Sequence, residues 1–382
     1  MQNLQEGGNN KMEKRSKFIG VGGFLGAGKT TVLARIARNY TEQGLRVGIV
    51  TNDQAENLVD SENLTKDGYL VQEVAGGCFC CRFDTLIEAV KKLQDKNMPD
   101  IILAEPVGSC TDLIATVIQP LRDLYNQEFE VAPYAVLVDP LRVQHTLIEE
   151  SSILSEKVVY IFRKQLEEAD AILLNKVDSI TIEERNRLLA FLQEEFPKVS
   201  TMAISAYTGE GLEELFKFFE AEGQFGRNIL EVDYDIYAEG EAMLGWLNAT
   251  VDISSDYLFS VDELLLKLVK TLKTSLSRLG TEPAHLKVLC KTDGEVGIAN
   301  LVSNTAIPML SRQSSHQTKQ GRLIINARVQ MDPDSLHQQV KEALYALCQS
   351  HNLKTQVHSI ESFKPGRPVP KYRYDKAVVR EG

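Results

Sequence analysis

Two short stretches carry residue types whose spacing suits chemistry. GGFLGAGKTT, Gly22 to Thr31, is a glycine-rich loop closing on a lysine and two threonines, and GGCFCCR, Gly76 to Arg82, puts three cysteines into four positions. Gly23-x-x-x-x-Gly28-Lys29-Thr30 fits G-x-x-x-x-G-K-[ST]. It follows an apolar run fit for a strand and opens a helical pattern, the context in which that motif cradles phosphate. Glycines let backbone N–H groups turn toward the phosphates, and the helix N-terminus adds positive partial charge. Gly23, Gly26, Ala27, Gly28, Lys29, Thr30 and Thr31 are therefore the candidate phosphate-binding residues. Lys29 is expected to reach the β- and γ-phosphates, and the Thr30 hydroxyl to ligate a bridging Mg²⁺. The bland alternative, a glycine turn with an exposed lysine, does not call for this motif in this context.

The base of the nucleotide follows from Asn175-Lys176-Val177-Asp178 at the end of a later apolar run. A carboxylate there accepts hydrogen bonds from guanine N1–H and the 2-amino group, and adenine offers neither donor. Four letters alone often mark a mere strand end; placed after a buried strand they favour GTP and GDP over ATP. Ser205-Ala206, one strand further on, resembles the second guanine-contacting loop of GTPases.

Cys78, Cys80 and Cys81 need their own explanation, since six cysteines in 382 residues are too few and too clustered for a secreted disulfide framework. Three thiolates leave a tetrahedral metal ion one exchangeable position, which suits a site that hands its metal on. Soft sulfur favours Zn²⁺ over Mg²⁺, with Co²⁺ or Ni²⁺ as alternatives. A helix opening near Phe83 is expected to favour the thiolate form. A redox thiol pair is the competing reading. Cys110, Cys290 and Cys348 read as small buried apolar side chains, and the six histidines are scattered.

These groups must be positioned by elements that the apolar pattern announces. KFIGVGGF, VGIVTND, IILAEPVG, PYAVLVDP, AILLNKVD and TMAISAY are short apolar runs separated by helix-length segments, as in a parallel α/β sheet. Helices are expected over Thr30 to Tyr40 and Phe83 to Leu93. Residues 1–16 read as a disordered lead, 17–225 as the nucleotide-binding domain, and GQFGRN as a linker. A second domain over 236–363 is expected to be ferredoxin-like, from two strand–helix–strand units with helices over 261–279 and 334–348. The basic, proline-rich residues 364–382 are expected to run extended over the surface.

Composition sets outer limits. With 43% apolar and 25% charged residues the chain reads as globular. A net charge of −11 argues against nucleic acid as a partner. No apolar run is long enough to span a membrane and no signal peptide is visible, so a cytoplasmic protein is expected.

The order of these motifs resembles the CobW-like metal-chaperone GTPases, relatives of the GTPases that assist nickel insertion into urease and hydrogenase. The resemblance covers roughly residues 17–220 and rests on GGFLGAGKTT, TNDQAENLVD, GGCFCC, AEPVGS and NKVD. It implies that Thr51 to Asp60 is switch-like, with Asp53 and Glu56 near Mg²⁺ and the attacking water. It also implies that Glu105 takes the place of the commoner Walker B aspartate, and that Gly108 lets backbone approach the γ-phosphate. The implied function is a GTPase that binds metal through C-x-C-C and delivers it to a client metalloprotein under GTP control. Two other functions remain open: a chaperone of a cobalamin-dependent enzyme, or a nucleotide-linked metal buffer without turnover. Monomer and homodimer are both compatible with the sequence.

Overall fold

The computed structural model describes residues 15–52, 64–65, 67–150 and 154–378. Asp53 and Glu56, two of the expected catalytic carboxylates, lie outside the described residues.

The first half folds around a sheet of eight parallel strands. They are β1 (Ser16–Gly23), β2 (Val47–Asn52), β3 (Leu70–Val74), β4 (Ile101–Glu105), β5 (Phe129–Val131), β6 (Ala135–Val138), β7 (Ala171–Leu174) and β8 (Ser200–Ala203). The order is β3-β2-β4-β1-β6-β7-β8, with the short β5 beside the start of β1. Successive side chains of β1 serve opposite faces: Phe18 packs into one buried cluster, Ile19 and Val21 into another. Helices cover both faces, among them Lys29–Glu42 and Phe83–Asn97. Strands β2 to β4 lie on one side of β1 and β6 to β8 on the other. The carboxyl end of β1 is thus where strand order reverses, the place where open α/β sheets bind ligands. The sequence pattern missed β3 and β5, whose five and three residues are too short to stand out from their loops.

The second sheet is antiparallel: β9 (Gly245–Ser260), β10 (Pro283–Lys291), β11 (Val296–Leu301), β12 (Met309–Arg312), β13 (Gln317–Val329) and β14 (Lys354–Phe363), in the order β12-β11-β10-β13-β9-β14. Its core order, β10-β13-β9-β14, is the ferredoxin-like one, extended at one edge by β11 and β12. Helix Val261–Arg278 is capped by Ser260, whose hydroxyl accepts from the Glu263 N–H. It buries Leu264, Leu265, Leu268, Val269, Leu272 and Leu276 on the sheet, each side chain worth about 1.5–3 kcal/mol of burial. Ile236, where the second domain was expected to begin, lies before its first strand. It lies in the helix Tyr234–Ala242, which packs on Glu156–Glu168 and buries Tyr237 and Glu241. Its weak apolar periodicity hid it in the sequence.

The two sheets touch at the glycine loop. A Cβ on Gly26 would lie 2.5 Å from Val302 Cγ1 just beyond β11, and Arg142 donates to the Val302 carbonyl at 2.8 Å. Residues 364–378 form no regular element, yet they do not run free. They cross the cysteine loop, with Lys371 N–H donating to the Cys80 carbonyl at 3.0 Å.

Candidate functional site

The phosphate loop leaves β1 through three positive-φ glycines, Gly23 (134°), Gly26 (80°) and Gly28 (98°), a path that side-chain-bearing residues adopt only under strain. Lys29 is buried and its ammonium donates to the Gly23 carbonyl at 2.9 Å, spanning the loop as a phosphate-binding lysine does. The Thr30 hydroxyl donates to Glu105 Oε1 at 3.2 Å. Hydroxyl and carboxylate thus stand side by side at the start of Lys29–Glu42. This pair of hard oxygen donors fits a Mg²⁺ shared with phosphate. Ala27 is buried, and Thr31 faces out on the first helical turn.

The second loop closes from the β7 end. Asn175 Nδ2 donates to the Ala27 carbonyl at 2.9 Å, and its Oδ1 accepts from Ala206 N–H at 3.1 Å, so one amide ties the phosphate loop to the Ser205-Ala206 turn. Lys176, in the left-handed region, donates to the Gly26 carbonyl at 2.8 Å and to Asp139 at 2.6 Å. Burial pushes Asp139 up, but Lys176 outweighs it and holds the carboxyl below its ordinary value. Asp178 is exposed and accepts from Ser205 Oγ at 2.6 Å, leaving its carboxylate facing outward beside the loop. Asp139 was not foreseen. The signal available was an Asp-Pro helix start directly after a buried strand.

The three cysteines come together. Sγ distances are 2.9 Å for Cys78–Cys80, 3.2 Å for Cys78–Cys81 and 3.7 Å for Cys80–Cys81, and among the described residues they form the one cluster with metal-holding geometry. Gly76 and Gly77 bring the chain in at φ 77° and 152°. Asn52 at the end of β2 pins the loop from below. Its Nδ2 donates to the carbonyls of Val74 and Gly77 at 2.8 Å, and its Oδ1 accepts from Phe79 N–H at 2.8 Å.

Cys110 is a buried side chain in the same apolar cluster as Cys78, as expected, and the loop after β4 brings it beside the cysteine turn. One expectation changes here: the helix N-terminus does not lower all three thiols. Cys78 alone lies well below the ordinary thiol range, because Cys110, then Cys80 and Cys81, donate to its sulfur, with burial opposing. Cys80 is pushed well up by its hydrogen bonds to Cys78 and Cys81 and by burial, and Cys81 is pushed up to about 11, chiefly by its bond to Cys78. A soft cation binding the three sulfurs would replace their protons.

Residues 105–112 connect the two sites. Glu105 meets Thr30, and a Cβ on Gly108 would lie 3.0 Å from Lys29 Nζ. Ser109 Oγ donates to Glu241 at 2.5 Å, Cys110 shares a buried cluster with Cys78, and Thr111 N–H donates to Tyr237 Oη at 3.2 Å. Gln165 on the neighbouring helix donates to the Gly108 and Cys110 carbonyls at 3.0 and 2.7 Å. Burial pushes Glu241 and Glu168 up to about 8. None of these outer partners carries a motif; they belong to helices that reach the loop only in three dimensions.

A parallel sheet with a phosphate loop at its switch point defines a P-loop nucleotide-binding protein, and the three-sulfur cluster beside that loop could hold a metal ion. Residues 17–202 match the nucleotide-binding domain model described as CobW/HypB/UreG. The chain is 30% identical over 178 residues to the zinc chaperone YeiR of Escherichia coli, an alignment covering 45% of this chain and 50% of that protein. It is 30% identical over 190 residues to the zinc chaperone CobW of a Sinorhizobium species, covering 41% and 50%. A zinc-regulated GTPase metalloprotein activator of Schizosaccharomyces pombe matches at 24% over 249 residues, covering 63% and 57%. The chain thus spans about half the length of the curated relatives it matches. Among the described residues no helix is long and apolar enough to cross a membrane.

Proposed function

We propose that this protein is a GTP-hydrolysing metallochaperone that binds Zn²⁺, or Co²⁺ or Ni²⁺, at Cys78, Cys80 and Cys81 and passes it to a client protein under nucleotide control. The observation carrying this reading is the continuous run from Glu105 to Cys110, which bonds Thr30 at one end, passes close under Lys29 at Gly108, and ends at a Cys110 buried in the same core cluster as Cys78.

In this reading the backbone N–H groups of residues 23–31 and the Lys29 ammonium hold the β- and γ-phosphates, while Asp178, steadied by Ser205, receives guanine N1–H and the 2-amino group. Asn175 and Lys176 keep the base loop against the phosphate loop. Bound Mg²⁺ would supply charge neutralisation at the β- and γ-oxygens. Thr30 and Glu105 are the residues to hold it, with Asp53 as the further carboxylate. Glu105 and Glu56 orient a water onto the γ-phosphorus; the anhydride bond breaks and GDP and phosphate leave. Gly108, free of a side chain, lets its peptide approach the γ-phosphate. Loss of that phosphate relaxes residues 105–110, and the support of Cys78 by Cys110 weakens with them. A hundredfold change in metal affinity needs about 2.7 kcal/mol of coupling.

The test is a zinc titration against a chromophoric chelator, in GDP and then in a non-hydrolysable GTP analogue, both with Mg²⁺. At least tenfold tighter binding with the triphosphate is expected, and equal affinities overturn the reading. A Lys29→Ala protein should lose GTP turnover and the nucleotide effect but keep its basal zinc site. Cys78→Ser should bind GTP yet lose zinc, which separates metal delivery from chaperoning in which the cysteines are only structural.

A further inference from the structure

The segment from Lys364 to Val378 contains five basic residues and one acidic one in a chain otherwise strongly acidic. It lies across the mouth of the cysteine cluster. Val369 N–H donates to Cys81 Sγ at 3.1 Å, and Lys371 N–H to the Cys80 carbonyl at 3.0 Å. Its other fastenings are to carboxylates, carbonyls, one carboxamide and one ring. Lys371 pairs with Asp84, Arg367 with Asp235, and Tyr374 Oη donates to Asp123 at 2.6 Å. Arg373 donates to Asp112 at 2.8 Å and to the Leu230 carbonyl at 2.7 Å, and Tyr372 stacks edge-on against Phe83 at 5.3 Å. Farther along, Tyr374 N–H reaches the Ala115 carbonyl at 3.0 Å and Val378 N–H reaches Gln119 Oε1 at 2.7 Å.

Two features make this a removable strap rather than a fixed part of the fold. It contributes no strand or helix, so its release breaks no ladder. Its anchors Lys371–Asp84 and Arg367–Asp235 are exposed ion pairs, which salt or a competing charged surface weakens readily. Pro365, Pro368 and Pro370 hold it extended, so little chain freedom is lost when it docks. Beneath it Cys81 is the half-buried sulfur of the three, the one a metal acceptor reaches first.

We propose that residues 364–378 are a strap that shields Cys81 and retains metal in the cluster, and that the strap must lift for metal to pass to an acceptor. Docked, Val369 N–H orients the Cys81 sulfur, the part played by outer hydrogen bonds at thiolate sites. Lifted, the cluster opens to solvent on the Cys81 side. The retention half of this proposal rests on the metallochaperone reading; the shielding half does not.

The experiment has two arms on the full-length protein, a chain ending at Phe363, and Val369→Pro, which deletes the N–H between two prolines and leaves an exposed position without its side-chain contacts. In the first arm metal-free protein is alkylated with iodoacetamide and Cys81 is followed by peptide mass spectrometry. Truncation should speed its modification at least tenfold, Val369→Pro several-fold and Val369→Ala hardly at all. A synthetic 364–382 peptide added in trans should slow it again. In the second arm each protein is loaded with Co²⁺, the sulfur-to-metal absorption is recorded, and its loss to excess chelator is timed. Truncation and Val369→Pro should accelerate loss about tenfold, with the thermal midpoint of Val369→Pro unchanged. Equal alkylation rates in the full-length and truncated chains overturn the strap. Faster alkylation together with no cobalt absorption in any protein keeps the shield and overturns the metal reading instead.

Discussion

Gly108 stands so close to the phosphate-loop lysine that a Cβ on it would come within 3.0 Å of Lys29 Nζ and 2.7 Å of Leu25 Cδ2. The peptide that follows Glu105 therefore passes directly under the group that would hold the γ-phosphate. Two residues later the same chain supports the cysteine cluster.

Gly108→Ala should be felt at the nucleotide and only weakly in stability, because both crowded atoms belong to side chains that can shift by a few tenths of an ångström. That shift moves Lys29. Turnover of GTP should fall about tenfold to a hundredfold, the scale on which misplacement of a positioning group acts. The thermal midpoint should drop by no more than a few degrees. A steady-state phosphate-release assay beside a melting curve checks both.

Asp178→Asn tests the base. In the proposed reading the exposed carboxylate beside Ser205 would accept two donors from guanine, whereas a carboxamide offers a donor where guanine also has one. Affinity for GTP should fall at least a hundredfold, and xanthosine triphosphate, which carries an oxygen at the 2-position, should bind better than GTP. Competition against a fluorescent GDP analogue measures the ratio. Unchanged guanine preference would remove Asp178 from the site.

Cys110→Ala removes the buried thiol beside Cys78, whose sulfur it helps hold in the low-pKa form, while keeping a small apolar side chain. Because outer hydrogen bonds to metal ligands are worth about ten- to a hundredfold in affinity, zinc binding should weaken by that order. Cys110→Ser, which keeps a donor, should recover part of the loss. If both variants bind zinc like the parent, Cys110 is filler after all. A chelator competition at fixed pH decides.

Glu168 gives a pH signature. Burial raises its carboxyl from 4.5 to about 8, so the folded protein carries a proton that the unfolded chain has released between those values. Folded stability from this group is complete below about 4.5 and is lost as pH rises toward 8, with a slope approaching about 1.4 kcal/mol per pH unit. Urea midpoints should therefore decline from pH 5 to pH 8. Glu168→Gln keeps one acceptor oxygen for the Ile114 N–H and turns its amide NH2 toward Thr111 Oγ1, which can accept, and should flatten the decline. Glu241, raised by burial in the same direction, keeps the remainder of the slope.

The motif residues were legible because each motif is contiguous and its backbone geometry depends on its own letters. Gly23, Gly26 and Gly28 announce their positive φ, and Cys78, Cys80 and Cys81 can hardly avoid one another four residues apart. Likewise the stripe Leu264 to Leu276 declares a helix that must bury one face. The helix Tyr234–Ala242 was illegible for the opposite reason. It buries Tyr237 and Glu241, two polar residues, against a loop more than a hundred positions earlier, so its pattern carries no apolar stripe.

The sequence by itself determined the phosphate loop, the guanine-type N-K-x-D, the sulfur trio and the two-sheet architecture, all of which rest on local periodicity or short-range spacing. Tertiary structure alone decided that Asn52 pins the cysteine turn and that Val369 crosses over it. Those contacts join residues 27 and 288 positions apart, counted from Phe79 and Cys81, and a hydrogen bond over such distances leaves no periodic trace in the chain.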